Sequence, residues 1–146
     1  MENKEIEILL IEDSMLDAEM TIRALKKNRI VNEIVHLNDG AIALDFLFGT
    51  GKYSGRNIDI KPKLILLDLK MPKVDGIEVL EKIKSHEITK RIPVVVLTSS
   101  KENPDIAKCY DLGANSYIVK PVEFEDFIGA ITTSGMYWML LNQLPS

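Results

Sequence analysis

The sequence predicts an α/β fold in which parallel strands form a single sheet and helices cover both of its faces. Three observations support this. Short apolar runs stop abruptly at polar residues, segments with helical spacing lie between them, and the two kinds of segment alternate along the chain. Such alternation is typical of right-handed strand-helix-strand units and a doubly wound sandwich.

Five segments are expected to be strands, and all are short and rich in Val, Ile and Leu. Runs of this kind without polar alternation are typical of strands buried on both faces. In chain order they are residues 6–11, 33–37, 64–67, 93–97 and 117–119, and the second carries the weakest pattern. A sheet order of 2-1-3-4-5 would place the reversal of strand order between strands one and three.

Five segments between and after these strands show helical spacing. They are residues 16–28, 41–48, 76–85, 104–112 and a last helix that begins near residue 123. Asn103 is expected to cap the fourth helix, with Pro104 at its first position. Asp39-Gly40 and Asp75-Gly76 are interpreted as turns. Residues 49–61 are expected to form a loop longer than the usual connection.

The composition fits one domain. A chain of 146 residues can bury a proper core, and its net charge of -4 argues against a general nucleic-acid or anionic-membrane binder. No apolar run approaches the roughly 18 residues that span a bilayer. The single Cys109 excludes an internal disulfide and fits a reducing compartment. We therefore expect a cytoplasmic domain spanning residues 1–146, with a core at about 5–132, a C-terminal helix and tail at 123–146, and no output domain.

Acidic residues follow two strands that are expected to be neighbours. Glu12 and Asp13 come after strand one, and Asp68 comes after strand three. Adjacent strands lie about 4.8 Å apart, so the three carboxylates should meet where ligands bind in open α/β sheets. One of them would keep its proton unless a cation neutralised the cluster, and Mg²⁺ is the natural partner for oxygen ligands.

A hydroxyl and a cation follow the next two strands. Thr98 comes after strand four and Lys120 after strand five. With a metal screening its charge, one carboxylate could attack a phosphoryl donor, while Thr98 and Lys120 hold the phosphoryl oxygens. A polar residue at one strand end is commonplace. All of them together on one sheet edge predict a phosphoryl-accepting site.

The motifs around these positions resemble the receiver domain of two-component response regulators over nearly the whole chain. The matching segments are Glu12-Asp13, LLDLKMPKVDG around Asp68, VVVLTSS around Thr98, and SYIVKP around Lys120. The resemblance implies a flavodoxin-like fold and a phosphoryl group taken onto Asp68 from a sensor histidine kinase.

The resemblance also assigns roles within the site. Asp13, Asp68 and the backbone carbonyl of Lys70 would bind Mg²⁺ directly, and Glu12 would act through water. Thr98 and Lys120 would contact the phosphoryl group.

Further roles concern the signal and its duration. Thr98 and Tyr117 resemble the family's switch pair, in which the aromatic ring turns inward. Lys70 and Ser100 occupy positions that influence the lifetime of the phosphoryl group. The bond before Pro121 resembles one that is usually cis.

Within the family, the sequence is most similar to small stand-alone regulators of bacterial phytochrome-type histidine kinases. The features are DFLFGTGKYSG with its long loop, the DLKMP run, and an aromatic tail before Leu144-Pro145. The resemblance implies a sensor kinase upstream and favours a homodimer. The tail around Tyr137, Trp138 and Leu141 is apolar on all sides, which fits either a packed terminal helix or a dimer surface.

Three other functions are alternatives to phosphoryl acceptance. A phosphatase of the haloacid-dehalogenase type would have an Asp two residues after its nucleophile, where this chain has Lys70. A flavin- or nucleotide-binding module would need a phosphate-binding loop after strand one, where this chain has Glu12 and Asp13. A pseudo-receiver would serve protein contacts alone. We expect a phosphoacceptor rather than an enzyme, and we expect His36 and His86 to lie away from the active edge.

Overall fold

The fold is a five-stranded parallel sheet with helices packed on it. A computed structural model describes residues 8–27, 33–71, 74–99, 101–120 and 125. The strand order is β2-β1-β3-β4-β5, which confirms the predicted order 2-1-3-4-5. The strands are β1 (Ile8–Ile11), β2 (Ile34–Leu37), β3 (Leu64–Asp68), β4 (Val94–Thr98) and β5 (Ser116–Val119).

Two strands, β3 and β4, end one residue later than the sequence predicts. Asp68 still pairs with β4, where it lies opposite Leu97, and Thr98 pairs with β5 opposite Val119. Both polar residues are therefore the last residues of their strands rather than the first of a loop. Pairing with the neighbouring strand therefore fixes the backbone of both residues.

The helices in the described residues begin close to the expected positions. They are α1 (Met15–Lys27), α2 (Gly40–Phe48), α3 (Gly76–Ser85) and α4 (Asn103–Asp111). The last predicted helix, from about residue 123, lies outside the described residues except for residue 125, which is helical.

The two Asp-Gly pairs, interpreted as turns, lie at helix starts, where each Asp caps the helix that its Gly begins. The Asp39 carboxylate accepts hydrogen bonds from Ala41 N at 2.7 Å and Ile42 N at 3.1 Å. The Asp75 carboxylate accepts one from Glu78 N at 2.9 Å. Each aspartate thus satisfies backbone donors that have no partner within the helix.

The start of α4 differs from the prediction by one residue. Asn103 is the first helical residue rather than the cap, Pro104 is the second, and Glu102 takes the extended cap conformation. The carbonyl of Glu102 accepts the first turn's hydrogen bond from Asp105 N at 3.1 Å. Pro104 fits either position because first-turn N–H groups have no helical acceptor.

The core lies on both faces of the sheet, as the uniformly apolar strands predict. Every residue of β1, β3 and β4 is buried. Alternate residues of these strands enter two separate clusters, one per face, the larger of which packs against α2 and α3. Among the described residues, no helix is both long and apolar enough to cross a membrane.

The long connection between α2 and β3 is held by its own contacts. It contains a short 3₁₀ turn, Gly51–Tyr53, and the Tyr53 ring meets Phe46 edge-on with centroids 5.2 Å apart. The Arg56 guanidinium lies 3.9 Å from the Phe46 ring centroid and donates to the Ile60 carbonyl at 2.9 Å. The expected long loop is thus confirmed, with internal structure that the sequence pattern did not indicate.

Candidate functional site

Three carboxylates meet at the carboxyl ends of β1 and β3. Glu12 and Asp13 follow β1, and Asp68 ends β3, its direct neighbour in the sheet. Each residue offers a carboxylate oxygen that lies within 4.8 Å of the others. Glu12 and Asp68 are only 1% and 4% exposed. The predicted convergence of these three residues is confirmed.

Lys120 follows β5 and brings the site's ammonium group. Its Nζ lies 2.5 Å from Glu12 Oε1, 3.0 Å from Asp17 Oδ2 and 3.6 Å from Asp68 Oδ1. The Lys120 side chain is 14% exposed, so these charges interact with little water between them.

The crowding changes the proton affinities of the two most closely paired groups. Burial raises the pKa of Glu12 to about 7; the ion pair with Lys120 opposes this, and the Asp68 carboxylate adds to it. Burial alone would lower the pKa of Lys120, but the hydrogen-bonded carboxylates of Glu12 and Asp17 outweigh it and raise that pKa. One ammonium therefore does not neutralise the cluster.

This donor set fits a hard divalent cation. Carboxylate oxygens are the ligands that Mg²⁺ and Mn²⁺ favour, and the oxygens of Glu12, Asp13 and Asp68 are close enough to share one ion. A cation here would also offset the burial and the weaker repulsion by Asp68 that raise the pKa of Glu12.

The turn from β1 into α1 is tied together by short hydrogen bonds. Ser14 N donates to Glu12 Oε2 at 3.3 Å, and Asp17 N donates to Ser14 Oγ at 3.2 Å. His36 Nε2 lies 2.8 Å from the Glu12 carbonyl oxygen. The expectation that His36 lies away from the active edge was therefore wrong, because it is the second-last residue of β2 and contacts the backbone of a site residue.

The remaining predicted site residues lie on the expected elements. Thr98 is fully buried at the end of β4, and its carbonyl accepts a hydrogen bond from Lys120 N at 2.8 Å. Tyr117 is half-buried in β5 and packs against the larger core cluster. Lys70 has an exposed side chain, and its N–H lies 3.4 Å from Asp68 Oδ1. The metal-ligand role of the Lys70 carbonyl and the switch role of Tyr117 stay predictions.

The model of the response regulator receiver domain family matches residues 8–132. This chain belongs to that family.

Two relatives of this receiver are similar to it over most of their own length. The probable methanogenesis regulatory protein FilR2 of Methanothrix harundinacea is 41% identical over 94% of this chain and 86% of its own length. The response regulator Rcp1 of Synechocystis is 40% identical over 95% of this chain and 92% of its own length. The receiver is thus homologous to stand-alone response regulators and has a phosphoacceptor signalling role.

Solved structures give the same result. The bacteriophytochrome response regulator AtBRR is 48% identical, with a TM-score of 0.84 over 97% of this chain and 100% of the other. The Mn²⁺-bound form of Rcp1 is 39% identical, with a TM-score of 0.75 over 97% of this chain and 99% of the other. Phytochrome response regulators are therefore among the close homologues of this receiver.

Several predicted residues lie outside the described part of the receiver. These are Ser100, Pro121 and the candidate dimer-surface residues Tyr137, Trp138 and Leu141. Their roles stay predictions.

One residue of the site was missed by the sequence reasoning. Asp17 lies in the first turn of α1, where an acidic residue is usually explained by the helix dipole alone. Its partner Lys120 is 103 residues away in the chain. The available signal was its place in the first turn of the helix that starts beside the acidic residues.

Proposed function

We propose that Asp68 of this receiver accepts a phosphoryl group from the histidine of a sensor kinase, with Mg²⁺ as the required ion. Asp13, Asp68 and the Lys70 carbonyl would hold the ion, and Glu12 would act through water. The observation that carries the proposal is the buried Asp68 carboxylate, which lies within 4.8 Å of two other carboxylates and 3.6 Å from an ammonium group.

The transfer forms one bond and breaks another. An Asp68 oxygen attacks phosphorus, the P–N bond to the kinase histidine breaks, and its electron pair returns to the imidazole. The product is a mixed anhydride of carboxylate and phosphate. Mg²⁺ would screen the negative charge that builds up as the two anions meet. Lys120, already 3.6 Å from Asp68 Oδ1, and the Thr98 hydroxyl supply donors to the phosphoryl oxygens.

The output of this chemistry is a change in protein contacts or onward transfer of the phosphoryl group. Thr98 ends β4, and Tyr117 lies on the neighbouring strand opposite Val96. Movement of the Thr98 hydroxyl toward the phosphoryl group would change the packing beside Tyr117. Thr98 and Tyr117 together would then form the two-state element that a switch needs. We propose that the protein is cytoplasmic. The reactions we propose for it are its own phosphorylation and dephosphorylation, and we propose no enzymatic activity on other substrates.

Acetyl phosphate and Mg²⁺ test the assignment of Asp68. We expect one base-labile phosphoryl adduct by intact mass, absent without metal and absent in Asp68→Asn. Asp59→Asn is the matched control, because Asp59 is an exposed aspartate in the loop before β3. An adduct that persists in Asp68→Asn would overturn the assignment.

We further propose that the kinase contacts the start of α1. Met15, Leu16 and Met20 are 58%, 66% and 54% exposed, beside the acidic site. Large apolar side chains at an exposed position are typical of protein contact surfaces. A phytochrome-type histidine kinase is the proposed partner, because phytochrome response regulators are among the close homologues.

The docking surface can be tested apart from the chemistry. Leu16→Glu should slow transfer from a phosphorylated phytochrome-type kinase and leave uptake from acetyl phosphate unchanged. The matched control is Tyr110→Glu, which replaces an exposed aromatic residue on α4. Equal kinase transfer in both variants would contradict docking at α1.

We also propose that the receiver forms a homodimer through its apolar tail. The support is the sequence of that tail, which places Tyr137, Trp138 and Leu141 within MYWMLL. Light scattering should show a dimer that Trp138→Glu dissociates. A monomer both with and without phosphorylation would refute it.

A further inference from the structure

We propose that Asp17 is a positioning residue that fixes the Lys120 ammonium beside the phosphoryl group on Asp68. The inference rests on the proposed function, since it concerns how the phosphoryl group is held after transfer. Asp17 lies on α1, whereas the three clustered carboxylates lie at the ends of β1 and β3.

The distances from Lys120 Nζ to the nearby carboxylate oxygens show which of them the ammonium group contacts. An ammonium group has three N–H donors. Lys120 Nζ donates a hydrogen bond to Asp17 Oδ2 at 3.0 Å and forms an ion pair with Glu12 Oε1 at 2.5 Å, whereas Asp68 Oδ1 at 3.6 Å lies beyond hydrogen-bonding distance. Two carboxylates thus hold the ammonium next to Asp68, and one donor stays available for a phosphoryl oxygen.

Asp17 is itself held in place by the turn between β1 and α1. Its N–H donates to Ser14 Oγ, and Ser14 N donates in turn to Glu12 Oε2, the other oxygen of the carboxylate that pairs with Lys120. Contacts therefore close a ring from Glu12 through Ser14 and Asp17 to Lys120. The ring fixes the ammonium from two directions, and an ammonium held in advance loses less freedom when the phosphoryl group arrives.

Asp17 holds Lys120 without belonging to the group of metal-binding candidates. That group consists of Glu12, Asp13 and Asp68, and Asp17 is not part of it. The Asp17 side chain is 41% exposed, on the solvent side of Lys120, whereas the Glu12 side chain is 1% exposed. Loss of Asp17 should consequently weaken the phosphoryl contact and leave the affinity for metal intact.

Beryllofluoride, a phosphoryl mimic that binds carboxylates, provides the test on the full-length chain. With Mg²⁺ present, we expect Asp17→Asn to weaken beryllofluoride binding about two- to five-fold, the range for a partly exposed ion pair. Asp17→Glu should restore at least half of the loss, because it returns the carboxylate. Glu19→Gln, an exposed acid on the same helix, is the matched control and should bind like the unchanged protein.

A second readout separates positioning from general damage. The Mg²⁺ dissociation constant without beryllofluoride, measured by calorimetry, should be unchanged in Asp17→Asn. The Lys120 amine should become more reactive toward an acylating reagent, measured by mass spectrometry. Unchanged or tighter beryllofluoride binding in Asp17→Asn would overturn the inference, and so would an equal loss of Mg²⁺ affinity.

The two proposals fail in different ways. If the unchanged protein neither binds beryllofluoride nor takes a phosphoryl group onto Asp68, the proposed function and this inference both fall. If the unchanged protein does both, and Asp17→Asn matches it, only the role of Asp17 falls.

Discussion

Gly76 lies where the start of α3 presses against the end of β3, and substituting it should disturb the acceptor strand. A Cβ at this position would lie 2.3 Å from the Asp68 carbonyl oxygen and 2.5 Å from Leu69 Cα. Both contacts are to backbone, so no flexible side chain can move aside. Gly76 N also donates to the Leu69 carbonyl at 2.8 Å, which holds the two segments together.

The cost of Gly76→Ala follows from two opposing effects. Forcing an extra carbon into a packed site costs about 1–3 kcal/mol. The better helix propensity of alanine returns up to about 1 kcal/mol, and less at a first helical position. We expect a net loss of about 1–2 kcal/mol, which lowers the melting temperature by roughly 2–8 °C for a chain of this size.

Urea unfolding of Gly76→Ala, paired with phosphorylation by acetyl phosphate, measures both consequences. The matched control is Gly55→Ala, because a Cβ there meets nothing within 4 Å. That control should be neutral or slightly stabilising, since alanine restricts the unfolded chain. The reasoning is refuted if the two variants are equally stable, or if Gly76→Ala takes up phosphoryl groups at the unchanged rate.

Three further predictions concern buried polar groups. Thr89→Val should cost about 1–3 kcal/mol in urea unfolding, because the Thr89 hydroxyl donates to the Ile83 carbonyl at 2.6 Å in a buried site, whereas Thr89→Ser should retain most of that stability. Burial lowers the pKa of Lys84, which donates to the Ile92 carbonyl at 2.7 Å. As pH rises through that lowered pKa the folded state releases the proton before the unfolded state does, so stability should increase at alkaline pH relative to Lys84→Met; urea midpoints that stay parallel in the two proteins would contradict this. Cys109 is fully buried and its pKa is raised to about 11, so a thiol reagent should modify it only after denaturation, and rapid labelling of the native protein would show that the α4 packing is wrong.

The sheet and its three carboxylates were predictable because their signals are local. Each strand is a short apolar run. Glu12 directly follows one such run, and Asp68 is the last residue of another. Parallel strands place their carboxyl ends on one edge, so adjacency of the residues follows from strand order alone. The positions of the apolar runs and one topological rule were therefore sufficient to predict that the three carboxylates meet.

The parts that the sequence did not reveal depend on side-chain geometry between distant segments. Asp17 was missed because its partner Lys120 follows the last strand, 103 residues further along the chain. The capping roles of Asp39 and Asp75 were not predicted, because an Asp-Gly pair is compatible with both a turn and a helix start. For Asp75, the Glu78 three residues later was a capping signal that favours the helix.

The contribution of Lys120 from the last strand has a consequence for how the molecule assembles. Glu12, Asp13 and Asp68 are brought together as soon as β1 pairs with β3, but their protein counter-cation arrives only when β5 pairs with β4. A partly folded chain without β5 would carry three adjacent and uncompensated negative charges. Pairing of β1 with β3 is therefore less favourable before β5 is in place, and a dissolved divalent cation should accelerate folding by offsetting the repulsion between these carboxylates.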